Sequence, residues 1–178
     1  HLPHFVTYHA RTNFRSPEKI STCIRKLLPF EFEVGNTLPG KDVGIHYYKN
    51  SADQQKKVEH LIKMLVRDDF DVGDIAVVTC RGLKNSPLSD IETLGGHRVR
   101  RFLGKYDNRG HQVFTEGNLL FDTIYRFKGQ QAHAVILTDV APEEEKKSHW
   151  ERLLYTGMTR ASVRLEMLVE EGNSVLPF

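Results

Sequence analysis

Three short apolar runs decide what this chain can fold into. Asp74 to Cys80 reads Asp-Ile-Ala-Val-Val-Thr-Cys, and Leu119 to Ile124 and Ala134 to Asp139 are of the same kind, each bounded by turn residues. Unbroken hydrophobicity over so few positions marks a strand covered on both faces, as in parallel sheets with helices above and below. The covering helices are also legible. Ser16-Pro17 predicts a helix start, a capping hydroxyl followed by proline at the first helical position. Ile20, Cys23, Ile24, Leu27 and Leu28 follow at helical spacing until Pro29. A second helix is expected over about Asp53 to Arg67, with Val58, Leu61, Ile62, Leu65 and Val66 on one face. A third is expected over about His149 to Ala161, with Trp150, Leu153, Leu154 and Met158 inward.

Phe5 to Tyr8, Val43 to Tyr48 and Val163 to Val169 are further expected strands, and residues 29–42 read as a loop. Ser86-Pro87 is expected to open a short helix, and His97 to Gly117 to form short strands or loops. A tight glycine-containing turn is expected between the runs at 119 and 134. Strands alternating with helices predict right-handed crossovers and a mainly parallel three-layer α/β domain. Without repeats or a composition break, residues 1–178 read as a single domain.

Composition excludes more than it selects. With 39% hydrophobic and 27% charged residues, a net charge of +2 and a pI near 8.5, the chain permits a nucleic-acid partner without arguing for one. Cys23 and Cys80 are far apart and make no metal-ligand spacing, and two thiols suit a reducing compartment. None of the nine His residues forms a His-x-x-x-His helix pair, so no metal site is expected. No run approaches the roughly 20 apolar residues that cross a bilayer. The reading is a cytoplasmic, bacterial-type, monomeric protein with no membrane partner. A start at His1-Leu2-Pro3-His4 fits a piece of a longer chain.

Ligands of open parallel sheets bind outside the carboxyl ends of the strands, and three segments place unusual polar residues at such loops or at helix starts. Asn13-Phe14-Arg15-Ser16-Pro17 is either a polar turn and cap or a ring and guanidinium set at a helix N-terminus that favours anions. Thr123-Ile124-Tyr125-Arg126-Phe127-Lys128-Gly129-Gln130-Gln131 is either a turn between strands or the hydroxyl, aromatic and cationic surface a single-strand track needs. Tyr155-Thr156-Gly157-Met158-Thr159-Arg160-Ala161 ends in an arginine that is either a surface cation at a helix end or an arginine finger.

In order and spacing these segments resemble motifs four, five and six of the UvrD/Rep-type superfamily 1 DNA helicases, over about Asn13 to Val169. The resemblance implies a RecA-like (P-loop NTPase-type) second motor domain. It implies that Phe14 stacks on adenine and that Arg15 and Arg160 are the catalytic contacts to the γ-phosphate. Tyr155 and Thr159 would shape the helix that carries Arg160. Lys128, Gly129 and Gln131 complete the nucleotide set, while Thr123, Tyr125 and Arg126 belong to the DNA surface. Gln131 stands where the family commonly has glutamate, and Tyr125 where histidine is common. Only 108 positions separate Arg15 from Thr123, too few for the large accessory domain that long members insert there.

No Gly-x-x-x-x-Gly-Lys-Ser/Thr loop occurs in the chain, and Asp139 ends its strand without an acidic neighbour. ATP with Mg2+ would therefore be held by an N-terminal RecA-like domain of the same parent chain, and the fragment alone is expected to hydrolyse nothing. The implied function is an ATP-dependent translocase on single-stranded DNA, with DNA repair as a setting. The rival reading is a RecA-like module that only docks nucleic acid or a partner.

Overall fold

The three apolar runs lie side by side at the centre of one sheet. The computed structural model describes residues 12–172, so the strand expected at Phe5 to Tyr8 lies outside the described residues. In chain order the elements are β1 (Thr12–Asn13), α1 (Glu18–Leu27), β2 (Glu33–Val34), β3 (Gly44–Tyr48), α2 (Ser51–Arg67), β4 (Ile75–Thr79), β5 (Thr93–Leu94), β6 (His97–Arg100), β7 (Phe102–Tyr106), β8 (Gln112–Phe114), β9 (Leu119–Thr123), β10 (Ala132–Val140), α3 (Lys147–Met158) and β11 (Ala161–Glu170). The main sheet runs β3-β11-β10-β4-β9-β6-β5, parallel throughout except for the β5–β6 pair. β1 pairs with β2, and β7 with β8, outside it.

Side chains on a strand alternate between faces, and here each face has its own helical cover. Ala76 and Val78 pack with Ile20, Ile24, Leu153, Leu154 and Met158 of α1 and α3. Ile75 and Val77 pack with Val58, Leu61, Ile62 and Leu65 of α2. This is the expected three-layer α/β arrangement. Each fully buried Leu, Ile or Val contributes about 1.5–3 kcal/mol before the entropy of ordering it is counted. No helix among the described residues is long and apolar enough to cross a membrane.

Several boundaries differ from expectation for identifiable reasons. α1 has no side-chain cap at its start; the first free amides, of Glu18 and Lys19, donate instead to the carbonyls of Leu38 (2.9 Å) and Pro39 (3.2 Å). The Ser16 hydroxyl expected to cap is buried elsewhere. α2 begins at Ser51 rather than Asp53 because Asn50 caps it: the Asn50 side chain accepts from Asp53 N at 3.0 Å, while Asp53 Oδ2 accepts from the preceding Lys49 N at 3.0 Å. No helix opens at Ser86-Pro87. The Ser86 hydroxyl donates to buried Asp139 at 2.7 Å, as does Thr79 at 2.6 Å, which fixes the loop after β4 to the end of β10.

The main correction concerns the link between β9 and β10. These strands are not neighbours; β4 lies between them, parallel to both. Parallel strands cannot be joined by a tight turn, because the chain must return from the carboxyl edge of the sheet to the amino edge. Residues 124–131 make that return without a helix, and eight residues can span at most about 26 Å. The segment is pinned under α3 by Ile124 and Phe127, both buried in the α1/α3 core. Gly157 permits the close approach: a Cβ there would stand 2.5 Å from Ile124 Cδ1 and 2.9 Å from Leu137 Cδ1. Gly157→Val is expected to lower stability by about 1–3 kcal/mol through overpacking, read from the urea midpoint. An unchanged midpoint would show that α3 does not rest on this crossing.

Candidate functional site

Two guanidinium groups distant in sequence approach one another at the amino edge of the sheet. Asn13 sets the first. Its side-chain oxygen accepts from the amides of Arg15 (2.9 Å) and Ser16 (3.2 Å), a local turn that presents Phe14 and Arg15 outward just before α1. Phe14 is 73% exposed, and one face of its ring lies on Gly35, where a Cβ would come within 2.4 Å of it. The Arg15 guanidinium has no hydrogen bond or ion pair among the described residues.

The second is held at the C-terminal end of α3. Arg160 donates through Nε to the Thr156 carbonyl at 2.9 Å, through Nη1 to the Gln130 carbonyl at 3.3 Å and through Nη2 to Thr159 Oγ1 at 3.2 Å. The Thr159 hydroxyl in turn donates back to the helix, 2.9 Å from the Tyr155 carbonyl, and the Tyr155 ring packs edge-on against Phe30 and Phe32. Burial depresses the Arg160 pKa, and the charge of Arg15 lowers it further. Every partner of Arg160 is neutral. Two cations that feel one another's charge, neither bonded to a carboxylate among the described residues, form a locus that favours a polyvalent anion.

The crossing from 124 to 131 joins this edge to the other. At its carboxyl-edge start, Tyr125 is 55% exposed, its hydroxyl 3.1 Å from His149 Nε2 and its ring stacked on that imidazole. At its amino-edge end, the Gln130 carbonyl receives Arg160. Lys128 and Gln131 are exposed, and Gly129 adopts φ +90°, a conformation that glycine enters without strain. Counting pairs along β10 from Ala132 to Thr138, opposite Thr79, puts the two edges about 20 Å apart. α3 spans the same depth in the reverse direction, with His149 in its first turn and Arg160 just past its end.

Of the three segments expected at carboxyl-end loops or helix starts, only the one with Thr123 and Tyr125 lies at the carboxyl edge. The reason is topological. Arg160 precedes β11, and Arg15 lies beside it, so both belong to the edge where strands begin. Two residues expected at the DNA surface are otherwise engaged. Thr123 is buried, and its hydroxyl accepts from Arg126 N at 3.3 Å within the turn. Arg126 bonds to buried Asp122 at 3.0 Å and to Gln112 at 3.1 Å, and lies 3.6 Å from the Phe102 ring centroid. Its guanidinium therefore seats the β7–β8 hairpin. Residues the sequence did not mark are His149, Gln130 and Thr156, together with Arg81, Asn85 and Trp150 around a cleft of about 550 Å³ at the carboxyl edge. A helix-periodicity reading places His149 at a helix start but cannot show that it meets Tyr125.

Comparison with known proteins shows a likeness to helicase C-terminal domains. Residues 118–167, which hold the crossing, α3 and Arg160, match the profile of the UvrD-like helicase C-terminal domain. The match covers 50 of the 178 residues and is a likeness of this stretch to that family. A fold match extends over the rest of the chain. The C-terminal domain of a possible DNA helicase from Lactobacillus plantarum WCFS1 superposes with a TM-score of 0.63 at 18% identity, covering 92% of this chain and 90% of that one. The arterivirus nonstructural protein 10 helicase aligns over 94% of this chain and 27% of its own, at 15% identity and a TM-score of 0.38, and carries no argument. No curated protein matched the sequence. The chain thus shares the fold of that Lactobacillus domain, and its conspicuous cations stand at the amino edge of the sheet.

The Asp122–Arg126 pair supplies a test. Burial pushes the Asp122 carboxyl above its usual range, and the Thr123 amide and Arg126 pull it back. An acid whose folded-state pKa exceeds its unfolded value contributes most below the unfolded value of about 4 and loses that contribution as pH rises through the folded pKa. Arg126→Ala raises the folded pKa further. Its stability deficit is expected to grow between about pH 4.5 and 7.5 and to reach about 1–3 kcal/mol. Equal deficits in urea melts at both pH values would show that Asp122 does not depend on Arg126.

Proposed function

We propose that this UvrD-like domain is the second motor domain of an ATP-dependent DNA helicase or translocase, one part of a longer chain. The observation that carries the reading is the approach of Arg15 and Arg160, without a counter-ion, at a sheet edge open to a neighbouring domain. In this reading an N-terminal RecA-like domain holds ATP through a phosphate-binding loop, and Arg15 and Arg160 reach its γ-phosphate. Phe14 stacks on the adenine, and the exposed amide of Gln131 with Lys128 and Gly129 lines the approach to the nucleotide. The arginine pair offers no ligand to Mg2+, so the metal belongs to the other domain, where carboxylates and a loop hydroxyl would supply its oxygen ligands.

Charge developing on the transferring phosphoryl group is then met by cations whose positions are already fixed. For Arg160 that fixation comes from three neutral acceptors, so no reorganisation accompanies the reaction. Hydrolysis and loss of the phosphate remove the anion that both guanidinium groups of this domain attract, so the attraction holding the two domains closed is lost. Opening and closing move the carboxyl edge with the amino edge, because α3 and the 124–131 crossing bridge the two. Tyr125, stacked with His149, is the group at that edge placed to lie against single-stranded DNA, and the turn that Thr123 closes holds it there.

The test uses the intact parent protein. Arg160→Ala is expected to reduce DNA-stimulated ATP hydrolysis by a factor on the order of 10³ while ATP binding, followed with a fluorescent analogue, is largely kept. The chain alone should release no phosphate above background with single-stranded DNA present. Unchanged turnover in the variant would sink the proposal, and so would robust hydrolysis by the chain alone.

A further inference from the structure

Net charge conceals one strongly basic segment. Between His97 and Gln112 stand Arg98, Arg100, Arg101, Lys105 and Arg109 against a single carboxylate, Asp107, a net of +4 where the whole chain has +2. The rest of the sequence is therefore slightly acidic, and the excess positive charge belongs to one element. That element is the β7–β8 hairpin with the strand leading into it. Every residue from Leu103 to Gln112 is exposed, so only the base of the hairpin is packed.

The base explains how it stands. Phe102 meets Phe114 at 5.9 Å, and the Arg126 guanidinium caps Phe102 while reaching across to Gln112. Asp122, at the carboxyl end of β9, holds Arg126 in turn. β6 runs parallel to β9, with Arg100 opposite Leu120, so the chain that continues into β7 heads toward the carboxyl edge, where Arg126 meets Phe102. Tyr106 lies edge-on to Phe102 at 5.5 Å, which carries the aromatic row outward from the crossing.

The tip is built so that its one acid does not cancel its cations. Asp107 Oδ1 accepts from the amides of Arg109 and His111, each at 2.8 Å, and Oδ2 lies 3.1 Å from His111 Nδ1. These bonds, the His111 amide first, hold the Asp107 pKa below its usual range. Gly110, at φ +80°, closes the turn. The side chains of Lys105 and Arg109 make no hydrogen bond or ion pair among the described residues. A ribbon with free cations on its strand and tip and an exposed ring between them suits a phosphate backbone with bases or sugars against the ring.

We infer that the β7–β8 hairpin is a second nucleic-acid contact, with Lys105 and Arg109 on backbone phosphates and Tyr106 against the strand, and with Arg126 as the positioning residue that aims it. The inference rests on the proposed function only for the identity of the polyanion; a lipid surface or an acidic protein would satisfy the same charges less well, because neither uses an aromatic row for stacking.

The test measures binding of this chain to a labelled oligothymidylate of about 20 nucleotides, longer than one typical site, and separately to a duplex of that length. Anisotropy is followed from about 50 to 200 mM salt. Lys105→Ala with Arg109→Ala should weaken binding about tenfold or more. It should also flatten the plot of log affinity against log salt by about 1.4 on the single strand or about 1.8 on the duplex, and whichever arm responds identifies the strand gripped. Lys105→Arg with Arg109→Lys should retain both affinity and slope. Tyr125→Ala should weaken single-strand binding without changing the slope. If the hairpin variant is silent while Tyr125→Ala is weak, the hairpin inference fails and the track reading stands; the reverse result removes the track and keeps the hairpin. No binding of the parent chain to either oligonucleotide would overturn the inference. Equally strong binding to phosphatidylserine vesicles would do so as well.

Discussion

Parallel pairing on both sides of β4 is the constraint from which the arrangement of this domain follows. Because β9 and β10 run in the same direction with β4 between them, the chain that leaves one carboxyl end must reappear at an amino end. Most parallel connections use a helix for this return. Here residues 124–131 do it bare, held down by Ile124 and Phe127 under Gly157. A single short segment consequently has an exposed aromatic at one edge and an arginine-binding carbonyl at the other. α3 lies against it and spans the same depth in reverse, with His149 on Tyr125 near its start and Arg160 at its end. Two antiparallel struts packed on one another resist being moved separately, so a displacement at either edge is shared.

The charged groups divide by how they are satisfied. Asp139 lies fully buried at φ +58° and accepts from Gln54, Thr79 and Ser86. Glu166 is equally buried between His46 and Arg164. Asp122 has Arg126. Each of these carboxylates has protein donors on it, the condition under which a charge can stay in a protein interior, and each ties one element to another. Arg160 differs: it is partly buried, its acceptors are neutral, and its nearest charged neighbour has the same sign. Such a cation destabilises its surroundings slightly unless an anion arrives, which is the behaviour expected of a functional rather than a structural group.

How much of this could be read from sequence follows from what each residue signals locally. The central strands were legible because both their faces are covered and hydrophobicity runs unbroken, and the helices because one face repeats at helical spacing. Phe14, Arg15 and Arg160 were legible as candidates, since unusual polar groups at helix ends stand out. Their edge was not, because a sequence lists strands without stating which neighbour each will take; β9 and β10, adjacent in the chain, looked like the two sides of a turn. Nor was the fate of Arg126 legible. Asp122, four residues earlier, sits in an apolar strand as if it were a strand end, and only burial turns it into a fixed partner. The hairpin was legible only as short strands or loops, because its cations and the bulge at Gly104 (φ +73°) break the alternation that would announce a strand.

The same geometry explains why the proposed site cannot be complete within this chain. A cleft that holds its own ligand needs walls on several sides. A cleft near Arg81 and Trp150 lies at the carboxyl edge, about 20 Å from the arginine pair by strand counting. Arg15 and Arg160 instead stand on an open border, one on a turn before α1 and the other on the end of α3. An open border gives cations no means to hold a phosphate against water, since exposed pairs are worth little. Closure by a second surface would exclude that water and strengthen every interaction between the two guanidinium groups and an anion. In the proposed function the domain is one half of an interface, and its strongest electrostatic contact is made only when an anion is brought to it.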